Sequence, residues 1–128
     1  MPPFLPQELA QRPYFAYGSN MVAAQMHRRC PAAQDTGMAR LDGWRFLVNQ
    51  EGYATIVPDQ SAYVLGVLWS LTSACEAALD DYEEIATGLY TKASLEIQDT
   101  PALVYLATNT LRRGFDPDYI AKDLRRWM

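Results

Sequence analysis

The apolar positions of this chain change period several times, and each change marks an element. Residues 14–17 form a short apolar run, read as a buried strand, which Gly18-Ser19-Asn20 ends abruptly. Residues 21–29 then read as a helix, with Met21, Val22, Ala24 and Met26 helix-compatible, Asn20 as N-cap and Cys30-Pro31 as terminator. Residues 41–49 alternate Trp44, Phe46 and Val48 against Gly43, Arg45 and Leu47, the period of a strand. Gln50-Glu51-Gly52 signals a turn, and residues 53–57 return as a second strand that Pro58-Asp59 stops. In residues 62–71, Tyr63, Leu65, Val67, Trp69 and Leu71 share one face, while Val64, Gly66, Leu68 and Ser70 share the other. Both faces are largely apolar, as in a central strand.

Ser73 opens a second helix, with Glu76 three residues on completing a capping box, and this helix runs to about Glu84, with Gly88 in its exit loop. Residues 90–98 and 102–108 read as an antiparallel pair joined through Asp99-Thr100-Pro101. Asp116 caps a last helix with Pro117 at its first position, running towards Trp127. Clustered strands interrupted by helices define an α+β chain. The expected architecture is a small, mixed, mostly antiparallel sheet of five to six strands, curled into a β-barrel with flanking helices. Residues 1–128 read as one domain, with residues 1–12, which hold three prolines, as an irregular N-terminal arm.

Composition narrows the partners. A net charge of -4 argues against nucleic acid and against an anionic membrane surface. No apolar run approaches the roughly 20 residues of a membrane span. The first residues lack the basic end and apolar stretch of a signal peptide, so the expected location is the cytoplasm. In that setting Cys30 and Cys75 read as core thiols rather than a disulfide, Cys75 on the inward stripe of its helix. With one histidine, His27, and no clustered cysteines, neither a structural nor a catalytic zinc site is expected.

Two segments carry the candidate chemistry. The Gly18-Ser19-Asn20 turn at the start of a helix points backbone N–H groups at one spot, where they suit a carboxylate or a polarised carbonyl. Downstream lies Leu79-Asp80-Asp81-Tyr82-Glu83-Glu84. At about 100° per residue, Cys75, Ala78, Leu79, Tyr82 and Ala86 form the inward stripe of this helix. Glu84 then faces water, and Glu83 sits at the border of the core. Partial burial there raises a carboxylate's pKa towards the range useful to a general base. A Ser19 nucleophile with His27 as its base is disfavoured, because the histidine falls about two turns along the helix with no acid to orient it. Arg28 and Arg29 read as exposed charge, with steering of an anionic substrate as the alternative. His27, Arg112, Arg113, Arg125 and Arg126 read as surface charge or surface polarity, and Trp44 and Trp69 as core aromatics.

Taken in order, these pieces resemble the γ-glutamylcyclotransferase-like proteins. Tyr17-Gly18-Ser19-Asn20-Met21 resembles the family's signature turn, and Gly66-Val67-Leu68-Trp69-Ser70-Leu71 its central strand. Leu79-Asp80-Asp81-Tyr82-Glu83 and Gly88-Leu89-Tyr90 resemble its catalytic helix and the strand after it, with Arg29-Cys30-Pro31 and Ala54-Thr55-Ile56-Val57-Pro58 also fitting. The chain departs at Glu84, where many relatives carry glycine. The resemblance implies a barrel with a pocket at one end and a cofactor-free reaction. In it a γ-glutamyl compound's own α-amine attacks its γ-carbonyl, releasing 5-oxoproline and an amine or amino acid, as a lyase or acyltransferase does. It implies Glu83 as general acid and base. It also implies Tyr17, Gly18, Ser19, Asn20, Met21 and Tyr90 as the residues binding a small γ-glutamyl substrate. The rival reading is a domain of the same fold that binds a ligand or protein without turnover. Leaving group and oligomeric state are not legible in the residues.

Overall fold

A computed structural model describes residues 11–111. The expected last helix, the two arginine pairs at positions 112, 113, 125 and 126, and most of the proline-bearing arm lie outside those residues. Five strands form one mixed sheet: β1 (Arg12–Ala16), β2 (Gln34–Val48), β3 (Ala54–Leu71), β4 (Tyr90–Ile97) and β5 (Thr100–Ala107), in spatial order β2-β3-β1-β5-β4. All neighbours are antiparallel except β1 and β5, whose parallel register is set at Tyr14 opposite Leu103. Two helices accompany the sheet, α1 (Ala23–Arg29) and α2 (Ser73–Tyr82). Arg12, expected in the arm, belongs to β1.

The expected barrel is corrected to an open sheet. Its edge strands β2 and β4 approach one another but do not pair. Five strands is the lower of the expected five to six, because the separate strands expected at 53–57 and 62–71 are one strand of 18 residues. Pro58 was expected to stop it. Proline lacks only the ladder N–H, and Pro58 lies opposite Trp44, directly after the irregularity between Asp42 and Trp44, where the ladder is already interrupted. A second irregularity falls between Asp35 and Gly37. Gly37 and Gly43 occupy these two places with φ of 112° and 84°, angles that side chains resist, so the long β2–β3 hairpin bends there. At the hairpin turn the buried Asn49 accepts from the N–H groups of Glu51 and Tyr53, both at 3.0 Å.

Alternation divides the sheet into two packed faces. Tyr14, Ala16, Val67, Trp69, Leu71, Tyr90, Leu103, Tyr105 and Ala107 point to the side that receives Met26 and Cys30 from α1 and its C-cap, and Cys75 and Leu79 from α2. Phe15, Ile56, Val64, Ala102, Val104 and Ile97 point to the other, with Ala39 and Leu41. The expected alternation in β3 holds where both faces are covered. At Tyr63 and Leu65, 55% and 50% exposed, the hairpin runs past that cover.

Both expected helix caps are corrected. Val22 precedes α1 with no side-chain cap, and Asn20 lies one turn earlier in a 3-10 turn, Ser19–Met21, with its side chain turned into the core. Thr72, not Ser73, caps α2, its Oγ1 accepting from Cys75 N at 3.2 Å. Glu76 does not close a capping box, because Arg12 and Lys92 hold its carboxylate. The inward stripe of α2 is narrower than expected: Cys75 and Leu79 are buried, whereas Ala78, Tyr82 and Ala86 are exposed, the last beyond the helix end. The two cysteines are also corrected. Cys30, at the end of α1, and Cys75, in α2, form a disulfide with Cα atoms 5.1 Å apart, so the sulfurs that core packing brings together tie the two helices.

Candidate functional site

The turn after β1 and the end of α2 meet in one recess. It is lined by Tyr14, Tyr17, Gly18, Asn20, Ala54, Glu83, Tyr90 and Tyr105. β1 delivers Tyr14 and, just past its end, Tyr17; β3 starts at Ala54; β4 and β5 supply Tyr90 and Tyr105. Counting its mouth, the recess encloses about 290 Å³, of which only about 20 Å³ accepts the centre of a water. Four tyrosine rings form most of its wall.

Glu83 caps the C-terminus of α2, its N–H bonded to Leu79 O at 2.8 Å. Its carboxyl is half-buried, and burial pushes its pKa up from the ordinary 4.5 to about 7, against a downward pull from Arg29. Among the described residues the ion pairs are Arg12–Glu76, Arg40–Asp42, Arg45–Asp59 and Lys92 with Glu76 and Asp80; Glu83 is in none of them. Glu84 goes elsewhere. It is exposed, with φ of 51°, and lines a separate polar groove with Glu51, Tyr53, Thr87, Gly88, Leu89 and Thr108.

The tyrosine hydroxyls are placed by specific partners. Tyr17 donates to the carbonyl of Tyr105. Tyr105 donates to Asp80 Oδ1 at 2.7 Å, and Tyr90 to Ala54 O at 2.6 Å. Tyr14 accepts from Asn20 Nδ2 at 3.0 Å. Asn20 is a knot in the turn: its Oδ1 accepts from Arg29 Nη1, and its backbone carbonyl accepts from Trp69 Nε1 at 2.9 Å. Arg29 in turn lies over the ring of Tyr82, 3.6 Å from its centroid, so the cation expected at the surface is built into the site. Burial pushes the hydroxyls of Tyr14, Tyr17, Tyr90 and Tyr105 well above the ordinary tyrosine value, so all four stay protonated.

Of the residues singled out in the sequence, Tyr17, Gly18, Asn20, Glu83 and Tyr90 come together here. Met21 does not: its side chain packs on the core beneath α1, and its N–H bonds to Gly18 O at 3.0 Å. Gly18 is not among the glycines with left-handed backbone, which are Gly37, Gly43, Gly52 and Gly88. His27 is exposed, with its ring edge against Trp69 and Nε2 at 3.3 Å from Ala33 O. Sequence reasoning missed Tyr14 and Tyr105, and offered Arg29 only as a steering charge, second to ordinary exposed charge. A signal for Tyr14 was present, since strand alternation puts it opposite in phase to Phe15 and on the helix-facing side. Among the described residues, no group of His, Cys, Asp or Glu is arranged to hold a metal, and no helix is long and apolar enough to cross a membrane.

The chain belongs to the family described as Gamma-glutamyl cyclotransferase, AIG2-like, whose profile matches residues 14–125. It is 27% identical over 121 residues to Gamma-glutamylcyclotransferase of Homo sapiens, with 83% of this chain and 64% of that protein covered. It is 31% identical over 87 residues to Gamma-glutamylcyclotransferase of Bos taurus, covering 60% of this chain and 46% of that protein. A solved structure of Gamma-glutamyl cyclotransferase, 28% identical, superposes with a TM-score of 0.71 over 78% of this chain and 68% of that one. The chain therefore spans less than two thirds of the length of these curated relatives.

Proposed function

We propose that this chain is a γ-glutamyl cyclotransferase that closes 5-oxoproline from a γ-glutamyl amino acid or amine, with Glu83 as general acid and base. The observation that carries this reading is a single recess holding both the Gly18–Asn20 turn and a carboxyl pushed up to about 7. Such a carboxyl is about half ionised at neutral pH, able both to take a proton and to return it. The substrate's α-amine loses a proton to Glu83 as its nitrogen bonds to the γ-carbonyl carbon. Glu83 then returns that proton to the leaving nitrogen as the old C–N bond breaks. No water is consumed. Because nucleophile and electrophile share one molecule, the protein's main task is to hold the folded, ring-closing conformer.

The N–H groups of Gly18 and Asn20 are the candidates for holding substrate oxygen, that of Met21 being engaged by Gly18. The Tyr90 hydroxyl has its hydrogen on Ala54 O, so towards substrate it acts as an acceptor, suited to an ammonium. A γ-glutamyl compound is far larger than a water, so the lining rings must rotate aside to admit it. The smallness of the recess is the one observation that favours the rival, a domain that binds through this face without turnover.

The test is mass-spectrometric detection of 5-oxoproline after incubation with γ-glutamyl-alanine, glutathione and γ-glutamyl-ε-lysine, with the Glu83→Gln protein alongside. Release by the wild type alone is expected. Release by both proteins would remove Glu83 from the mechanism. Release by neither, with both folded, would leave the binder.

A further inference from the structure

Four buried or half-buried tyrosine hydroxyls line the recess with Glu83, and each has one hydrogen to give. Three of those hydrogens are engaged by protein oxygens: Tyr17 on the Tyr105 carbonyl, Tyr90 on the Ala54 carbonyl and Tyr105 on Asp80 Oδ1. Tyr14 differs. Its oxygen receives a hydrogen bond from Asn20 Nδ2, and no described residue accepts its own hydrogen. The direction of that bond is fixed by chemistry rather than by how the amide is drawn. Asn20 Oδ1 is held by Arg29, a group that only donates, so Nδ2 must face Tyr14, and Tyr14 cannot donate back. At 4% exposure the residue is shut off from bulk solvent and opens only on the recess. A buried donor left unmatched costs about 1–3 kcal/mol, so a fold retains one where a ligand completes it.

We propose that Tyr14 is a further catalytic residue, whose hydroxyl donates its hydrogen to the substrate's γ-carbonyl oxygen as charge develops there. This rests on the cyclotransferase reading for the identity of that oxygen. Glu83 moves a proton between two nitrogens that flank the γ-carbonyl carbon, so an uncommitted donor in the same recess serves the carbonyl end of the substrate. The Glu83 charge acts directly on Tyr14. Burial keeps the phenol protonated, which makes it a donor rather than a second base. The relay from Arg29 through the Asn20 amide places partial positive charge against the Tyr14 oxygen and polarises its O–H bond outward. Tyr14 also stacks edge-on against Tyr105, centroids 5.7 Å apart, which fixes the ring that carries the hydroxyl.

Two variants and one spectroscopic readout test this. Tyr14→Phe removes the hydrogen and keeps the ring; it should lower kcat by about 100-fold with KM little changed, as loss of one oxyanion donor does. Asn20→Asp keeps the hydroxyl but gives it a carboxylate to bond to, so it should lower kcat similarly. Wild-type kcat in either variant, or a loss confined to KM, overturns the proposal. Independently of turnover, Cζ carbon-13 labelling of tyrosine reports on Tyr14 directly, its signal assigned by its absence in Tyr14→Phe. Titration with 5-oxoproline, which retains the former γ-carbonyl oxygen, should shift that signal in the wild type. A shift in a protein that releases no 5-oxoproline would sustain the donor and sink the cyclotransferase reading. A signal unmoved at saturating 5-oxoproline overturns the donor whatever the activity.

Discussion

The two faces of this sheet are built from the same strands, residue by alternate residue, and they do opposite things. On the face under the helices, β1 and β5 place Tyr14 and Tyr105, and β4 adds Tyr90. On the other face the same strands place Phe15, Val104 and Ile97 in a cluster of apolar side chains, against which the partly buried Tyr17 packs. Burying hydroxyls, an amide and a carboxyl is costly unless each is matched. The recess matches almost all of them, through Asp80, Ala54 O, Tyr105 O and the Asn20–Arg29 pair. The exceptions are Glu83, in no ion pair among the described residues, and Tyr14, whose hydrogen no described residue accepts. The comparison teaches that the aliphatic face supplies the fold while the candidate site is built mainly on the helix-side face, and that its two unmatched groups line one recess.

The sharpest break in that comparison is Glu83→Gln. It changes one atom of one group on the site face, and 5-oxoproline release should fall by about 10²–10⁴-fold. The thermal midpoint should stay within a few degrees, because no ion pair is lost. A large loss of stability would show that Glu83 belongs to the scaffold.

The converse break is Gly66→Ala. A Cβ at Gly66 would overlap the Ala16 carbonyl oxygen and sit 2.6 Å from Phe15 Cζ, on the aliphatic side of β3. Backbone stands in the way, so the strand must shift, at a cost of about 3 kcal/mol, the upper end for overpacking. Denaturant unfolding should show that loss, while the folded fraction keeps a near-normal kcat. A variant of unchanged stability would refute the close β1–β3 packing.

The same contrast explains what was legible in the sequence. Alternation in residues 62–71 assigned Val67, Trp69 and Leu71 to one face and Val64, Gly66 and Leu68 to the other, because a strand's period of two survives without knowledge of its neighbours. Glu83 was legible for a partly accidental reason. Helical phase set it beside the core, but the helix ends at Tyr82, and Glu83 turns inward as the cap residue. Pro58 misled because its effect depends on whether the ladder is already broken opposite it. The barrel was overstated because closure depends on β2 meeting β4, a pairing between distant segments that no local pattern encodes. Tyr14 was missed, and Arg29 read first as exposed charge, for a related reason. A charged residue on a short helix looks solvated until a turn nine residues upstream supplies Asn20 as its acceptor.

A gentler measurement sharpens the comparison without touching catalysis, because the raised Glu83 pKa leaves its mark on stability. In the unfolded chain this carboxyl titrates near 4.5, in the folded chain near 7. Below 4.5 both states hold the proton and the residue contributes no difference. Between 4.5 and 7 the unfolded chain gives up its proton while the folded chain keeps it, so rising pH favours unfolding across this window. Above 7 both states are ionised and the loss levels off. The full displacement corresponds to roughly 3 kcal/mol, which solvent reaching a half-buried group reduces to about 1–2 kcal/mol. Glu83→Gln removes this titration, and the remaining groups cancel in the difference. Urea unfolding at pH 5 and pH 8 should therefore show the variant gaining about 1–2 kcal/mol over the wild type on going to pH 8. No aliphatic-face substitution that leaves Glu83 in place should alter that slope. Equal slopes in wild type and Glu83→Gln would mean that the carboxyl is solvated, and the site would lose the one group able to act as its base.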